Sequence, residues 1–408
     1  MATTTALAPQ SLTPLVPPDS AEDVGRAVDQ LLRAATAAQA SDVHLRPAAD
    51  GLHILWRMDG VLQDRGVWPA RWMANVVGRL KVLAELLTYK TDLPQEGRLK
   101  GGVDGVEMRL STFPTLHGEN AVVRLFVGAG PLRHLDELQL PDDILDSTRR
   151  LLSGTSGCVL IVGPAGSGKT TTAYACLREL QRSHGSGKSL VTLEDPIEAE
   201  IAGVAQTQVH RPVEFTYAVG LKSLMRQDPD AILVGEIRDR DTAETVFQAC
   251  LTGHLVLTTF HAGSAAQAVT RLLDLGVEPY LLKSGLRGVL CQRLLRRLCE
   301  CAVWTDSEPI AFWPEVRKHR QPVGCPDCWQ TGYRGRAVIA ELLIPDELPG
   351  FTTAFDRGPV ADREQLAAQA GLSLLWDRAA EAVTAGVTSP AEVVRVLGLP
   401  QPKNRATR

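Results

Sequence analysis

Residues Gly163 to Thr170 read Gly-Pro-Ala-Gly-Ser-Gly-Lys-Thr, which fits the G-x-x-x-x-G-K-[ST] pattern of a loop that wraps phosphate groups. Glycines there let backbone N–H groups turn inward onto phosphate oxygens, and a helix starting at that point adds partial positive charge. Lys169 can reach the β- and γ-phosphates, and the Thr170 hydroxyl can ligate Mg²⁺. Gly163, Pro164, Ala165, Gly166, Ser167, Gly168, Lys169, Thr170 and Thr171 are therefore candidate residues for holding a nucleoside triphosphate with Mg²⁺. The flanks agree: Cys158 to Val162 reads as a short buried parallel strand, and Thr171 to Leu180 as a helix.

Three more segments place reactive side chains just past short apolar runs. One carries Glu194, Asp195 and Glu198, and a second runs from Asp228 through an apolar stretch to Glu236, Arg238 and Asp239. The third, Leu255 to Thr259, is flanked by His254 and His261. Phosphoryl transfer to water needs an acid near the metal and a group that orients the attacking water. Glu236 suits the metal role by its strand-then-acid pattern, and Glu194 or Glu198 suits the water. The two histidines can contact the γ-phosphate and relay its loss.

These residues need a frame of strands. From Pro141 onward, apolar strand candidates alternate with helical stretches: Val159 to Val162, Ser189 to Leu193, Ala231 to Val234 and Leu255 to Thr259. That alternation predicts an α/β fold with a mostly parallel sheet and helices on both faces, with phosphate loops at the carboxyl ends of its strands. Before it, residues 1–20 read as a disordered tail rich in Ala, Thr and Pro. A small α+β domain follows over 21–127. Its first helix spans about 21–40, and strands around 43–47 and 51–58 lead through a turn at Asp59-Gly60 to Val61 and Leu62. The spacing of Trp72, Val76, Leu80, Leu83 and Leu87 predicts a helix over 69–88, and strands follow at 106–111 and 121–126. Residues 128–140 read as a linker, 141–408 as the nucleotide-binding domain and 345–400 as C-terminal helices.

Composition limits the function classes. A net charge of −4 supplies no electrostatic argument for sequence-independent nucleic-acid binding. No apolar run approaches the roughly 20 residues that span a bilayer, and the first residues lack the basic and apolar regions of a secretory signal. A cytoplasmic protein, at most peripheral to a membrane, is the expectation. Cys158, Cys176, Cys250 and Cys291 sit among apolar residues and read as small buried hydrophobes.

On these segments the chain resembles the type II/type IV secretion ATPases, which power type II secretion and type IV pilus assembly. Gly163–Thr172 resembles their Walker A segment and Glu194–Glu198 their Asp box. Asp228–Asp239 resembles their Walker B segment and Gly253–His261 their His box. Segments at 40–47, 57–60, 93–98 and 109–119 resemble their N-terminal module, so that the likeness runs from about residue 25 to residue 400. The resemblance implies a PAS-like N-terminal domain, a RecA-like ATPase domain, ATP as the nucleotide and a homo-hexameric ring driving an inner-membrane platform protein. It also implies that the N-terminal domain supplies arginines towards the nucleotide. Arg57, Arg98, Arg109 and Arg124 match, with Arg57 and Arg109 leading, since a guanidinium fork suits developing phosphate charge.

Cys299, Cys301, Cys325 and Cys328, within 299–336, resemble the four-cysteine zinc element of the assembly and export branch. Two close pairs of thiolates suffice for a closed, structural Zn²⁺ site. The first pair is C-x-C where the family generally has C-x-x-C, His261 is followed by Ala-Gly rather than Thr-Asn, and about 20 residues precede the first helix, short for the branch's docking domain. Two other readings stand beside the assembly motor: a pilus-retraction ATPase, favoured by the short N-terminus, and a nucleotide-binding scaffold with little hydrolysis. A nucleic-acid motor would use the cluster Arg287, Arg293, Arg296 and Arg297, for which a solvated helix face or a subunit contact is the expected role.

Overall fold

The computed structural model describes residues 15–100, 105–126, 133–184, 187–306, 310, 312–348 and 360–399. The chain divides into two compact units, Met1–Pro131 and Leu132–Arg408. Most of the expected tail, and part of the expected linker, lie outside the described residues. Leu135 and Leu140, also in the stretch read as linker, are buried in the core of the second unit.

In the first unit, α1 (Val24–Ala37) and α2 (Met73–Leu83) accompany six strands: β1 (Asp42–Ala48), β2 (Gly51–Met58), β3 (Val61–Trp68), β4 (Gln95–Arg98), β5 (Glu107–Thr115) and β6 (Gly118–Phe126). They form one antiparallel sheet in the order β3-β2-β1-β6-β5-β4. Leu52, Ile54, Trp56 and Met58 alternate along β2 and are all buried, as a sheet with one covered face requires. Asp59 and Gly60 have positive φ of 46° and 82°, which the two-residue connection to β3 demands. Two expectations fail here. The helix over 69–88 stops at Leu83, where Glu85 turns left-handed (φ 55°) and leaves Leu87 exposed. Strand β4 was not foreseen, because Gln-Glu-Gly-Arg has no apolar alternation to betray it.

The second unit holds a seven-stranded sheet in the order β15-β12-β7-β11-β10-β8-β9. Its strands are β7 (Gly157–Val162), β8 (Leu190–Glu194), β9 (Ala205–Gln208), β10 (Ala231–Val234), β11 (Leu255–Phe260), β12 (Leu286–Leu298) and β15 (Tyr333–Leu343), and only β15 runs antiparallel. Helices α3 (Asp142–Leu152), α4 (Lys169–His184), α5 (Tyr217–Leu224), α6 (Arg240–Leu251), α7 (Ala265–Asp274) and α8 (Pro279–Gly285) interleave with the strands. Along β7, Leu160 and Val162 join one apolar cluster while Val159 and Ile161 join another. Both faces are thus covered, and each such side chain contributes roughly 1.5–3 kcal/mol on burial. The mostly parallel α/β expectation holds. The strand pair β12 and β15 at one edge of the sheet departs from it, since the arginines of 287–297, expected on a solvated helix face or at a subunit contact, lie on β12. A hairpin, β13 (Val303–Asp306) with β14 (Lys318–Gln321), precedes β15, and α9 (Val360–Gln369), α10 (Leu375–Thr384) and α11 (Pro390–Leu397) follow it.

Candidate active site

Strand register brings the predicted segments together. Val162 of β7 lies opposite Phe260 of β11 and Cys291 of β12, while Val234 of β10 lies opposite Thr258 and Leu193. The carboxyl ends of four parallel strands therefore line up: Gly163 and His261 directly follow β7 and β11, Glu236 lies two residues past β10, and Glu194 ends β8. Backbone bonds lock the ends: Gly163 N donates to Phe260 O (3.3 Å) and Gly235 N to Leu193 O (2.8 Å).

Gly163 has φ 155°, and a Cβ there would meet the Gln292 carbonyl at 2.7 Å; only glycine lets the loop run this close to β12. Lys169 is nearly buried, and its Nζ donates to the carbonyls of Gly163 and Pro164, both at 3.0 Å. Burial lowers its pKa, while the fields of Glu236 and Glu198 favour the charge. An ammonium gripping only carbonyls of its own loop can pass to phosphate oxygens, which bind it more strongly.

The acids separate by partner. Glu194 is buried at the end of β8, and its carboxylate accepts from Tyr174, from Thr192 Oγ1 (2.6 Å) and from Gln206 Nε2 (3.1 Å). Three donors hold it in place. Glu198 instead accepts from Thr170 Oγ1 at 3.1 Å, and burial raises its pKa, the direction that readies a carboxylate for base chemistry near neutral pH. Tyr174 bridges the two by donating to Glu194 and accepting from Glu198 N at 3.2 Å. Glu236 pairs with Arg238 and lies 3.5 Å from His261 Nε2. Burial also lowers the pKa of His261, with Lys169 acting in the same sense. Thr170, Glu198 and Glu236 are hard oxygen donors of the kind that holds Mg²⁺ through one or two carboxylates and the phosphates themselves.

His254 is not part of this constellation. It precedes β11, at the end of the strand opposite Phe260 and His261, roughly 20 Å from Phe260 at about 3.3 Å per residue. Its Nδ1 rests 3.2 Å from both Ala249 O and Thr252 Oγ1, and its carbonyl accepts from Gly157 N at 3.0 Å. The flanking-histidine pattern could not distinguish the two ends of a strand.

The basic cluster also resolves. On β12, Arg287 pairs with Asp346 (3.5 Å), and Arg296 binds Glu392 (2.8 Å) while stacking on Tyr333. Arg297 donates to Gln139, and Arg293 is buried against backbone carbonyls. These guanidiniums hold the sheet to the C-terminal helices and to neighbouring segments. Sequence reading missed Tyr174 and Gln292, whose side-chain partners lie 20 and 120–125 residues away, and read Arg293 as part of a surface cluster rather than as a buried tie to Gly263.

In the first unit, Arg57, Asp42, Arg124, Arg109 and Arg98 sit directly opposite one another on neighbouring strands β2, β1, β6, β5 and β4. Residues so paired share one face, so the four predicted arginines form a single row. Asp42 neutralises part of it, at 3.0 Å from Arg124 and 3.5 Å from Arg57, while Glu107 lies 3.3 Å from Arg98 and 3.5 Å from Arg109. Like charges side by side are costly, and the two carboxylates offset part of that cost.

The sulfurs of Cys299, Cys301, Cys325 and Cys328 all lie within 4.8 Å of one another. The close pairs are Cys299–Cys325 (3.8 Å), Cys301–Cys328 (3.8 Å) and Cys325–Cys328 (3.7 Å). A tetrahedron with Zn–S of about 2.3 Å has edges near ~3.8 Å, so the residues fit zinc despite the C-x-C spacing. Burial works to raise the Cys328 thiol, yet the backbone N–H groups of Cys325 and Gly332, each 3.2 Å from its sulfur, help bring it down to about 7. Thiolate is the form that binds metal. Among the described residues no helix is long and apolar enough to cross a membrane.

The sequence profile of the family described as "Type II/IV secretion system protein" matches residues 18–395. The type II secretion system protein HxcR of Pseudomonas aeruginosa is 40% identical over 389 residues, covering 94% of this chain and 80% of that protein. The type II secretion system ATPase E of Vibrio cholerae is 40% identical over 384 residues (90% and 74%), and the type IV pilus assembly ATPase TfpB of Acinetobacter baylyi 38% over 395 (93% and 66%). In fold, the chain is similar to the ATPase DotB of Legionella pneumophila (TM-score 0.63, 21% identity, 89% and 93% covered). It is likewise similar to the pilus retraction motor PilT with bound ADP (TM-score 0.60, 22% identity, 92% and 97% covered). Convergence of strand ends on one phosphate loop and this breadth of match lead to the same place: the chain belongs to the type II/IV secretion system protein family.

Proposed function

We propose that this chain is a Mg²⁺-dependent ATPase, hydrolysing ATP to ADP and phosphate, and that it powers type II secretion or type IV pilus assembly. The observation that carries the reading is Glu198, a carboxylate 3.1 Å from the Thr170 hydroxyl and within the field of Lys169. Lys169 and the loop N–H groups hold the triphosphate, and Thr170 with Glu236 would hold Mg²⁺, which offsets phosphate charge when bound. Glu198 orients and deprotonates the attacking water. Glu194, fixed by three donors, positions Tyr174 and through it Glu198. His261, beside Glu236, senses the γ-phosphate. The arginine row, with Arg57 and Arg109 foremost, supplies cationic charge for phosphate oxygens, and four cysteines hold a structural zinc.

As a working assembly we propose a homo-hexamer, peripheral at the cytoplasmic face of the inner membrane and acting on a platform protein there. The domain reading, a PAS-like N-terminal unit followed by a RecA-like motor, is proposed on the same basis. The cysteine cluster favours the assembly and export branch over a retraction motor. The test is steady-state phosphate release by purified wild type and Lys169→Ala, with folding followed by circular dichroism. Turnover in the wild type and none in a folded Lys169→Ala supports the assignment. Equal turnover in both sinks it, and no turnover in either favours a scaffold.

A further inference from the structure

Strand β12 passes directly beside the phosphate loop. After Cys291, which lies opposite Val162, the chain reaches Gln292, whose side chain is 1% exposed. Its Nε2 donates to Ser167 O at 2.7 Å and its Oε1 accepts from Thr172 Oγ1 at 2.9 Å. A carbonyl can only accept, so the Ser167 contact fixes which end of the amide faces the loop. Both ends of the amide are thus spent on the phosphate loop and the first turn of α4. The backbone carbonyl of the same residue is what a Cβ on Gly163 would strike.

Arg293 extends the contact to a second loop. It is 7% exposed, and its guanidinium donates to Gln292 O at 2.9 Å and to Gly263 O at 2.6 Å. Gly263 lies two residues past His261. Packing alone does not require these groups, because Leu or Met would fill the space without burying an amide and a charge that must then be satisfied.

We propose that Gln292 and Arg293 are positioning residues that hold the phosphate loop and the His261 loop in register. Gln292 seats the loop that grips the triphosphate. Arg293 ties the same point of β12 to the loop that carries His261 beside Glu236. This inference rests on the ATPase reading for its effect on turnover, whereas the hold of Gln292 on the loop is read independently by ADP binding.

The experiment compares full-length wild type, Gln292→Met, Thr172→Val and Arg293→Lys. It measures steady-state phosphate release against ATP concentration and titrates a fluorescent ADP. Gln292→Met is expected to weaken ADP binding and lower kcat/KM by roughly tenfold or more, since small misplacements near reacting groups are costly. Thr172→Val, which removes one partner of the same amide, moves the same parameters by less. Arg293→Lys lowers kcat to a similar extent with ADP affinity kept within about twofold. If the folded variants keep kcat, KM and ADP affinity within about twofold of wild type while only the melting temperature falls, the residues are mere core and the proposal is overturned. Should Gln292→Met not fold, Thr172→Val and Arg293→Lys decide. Absence of wild-type turnover strikes the ATPase reading alone, and ADP affinity still tests Gln292.

Discussion

Glu341 on β15 is the buried acid whose behaviour can be worked through in numbers. It is 2% exposed and accepts from Ala265 N at 2.7 Å and Leu375 N at 2.9 Å, so one carboxylate caps the starts of α7 and α10. Burial pushes its pKa up from 4.5 to about 7, against the pull of the two N–H donors. A folded-state value above the unfolded one means that the native chain holds a proton the unfolded chain has released. Stability from this group is full below pH ~4.5 and is lost as pH rises through about 7. Over that window the whole change is about 3 kcal/mol, at roughly 1.36 kcal/mol per pKa unit, and between pH 5.5 and 8 it is about 2 kcal/mol.

Glu341→Gln removes the titration while keeping the shape. The measurement is urea unfolding of both proteins at pH 5.5 and 8, followed by Trp376, which lies in the first turn of α10 and packs on Trp313 at 5.4 Å. Wild type should lose about 2 kcal/mol more than the variant over that interval. Comparing each protein with itself across pH cancels the constant cost of turning an amide N–H₂ towards a backbone N–H. Parallel stability–pH curves for the two proteins would refute the reasoning. Hydrogen exchange at the Leu375 amide gives a local check, since opening of α10 should become easier with pH only in the wild type.

Glu198→Gln should lower phosphate release by at least about 100-fold with nucleotide binding retained, the usual weight of a general base. Glu194→Gln should instead lower the melting temperature, because the amide nitrogen that replaces one acceptor oxygen cannot accept from its present donors. His261→Ala should reduce turnover roughly tenfold or more, whereas His254→Ala, at the far end of β11, should stay within about twofold in the same assay. Purified protein should carry one zinc per chain by elemental analysis, and Cys328→Ser should lose the metal and unfold at lower temperature, since binding energy at a structural site is folding energy.

Much of this protein was legible before any fold was known. The phosphate loop, the acids at 194, 198 and 236 and the four cysteines are contiguous motifs whose chemistry depends on residue type and short spacing. Strands such as Ala231–Val234 announce themselves because a strand covered on both faces must be apolar throughout. What depended on distant parts of the chain was not legible. Glu194 and Glu198 look equivalent until Tyr174, Thr192 and Gln206 are seen to occupy one and leave the other facing Thr170. His254 and His261 look equivalent until strand direction separates them. Arg296 looks like surface charge until Glu392, far along the chain, closes on it. Spacing within a motif is set by local backbone geometry, which the sequence carries by itself. Which donor meets which acceptor across the sheet is decided only when burial forces every polar group in the interior to find a partner.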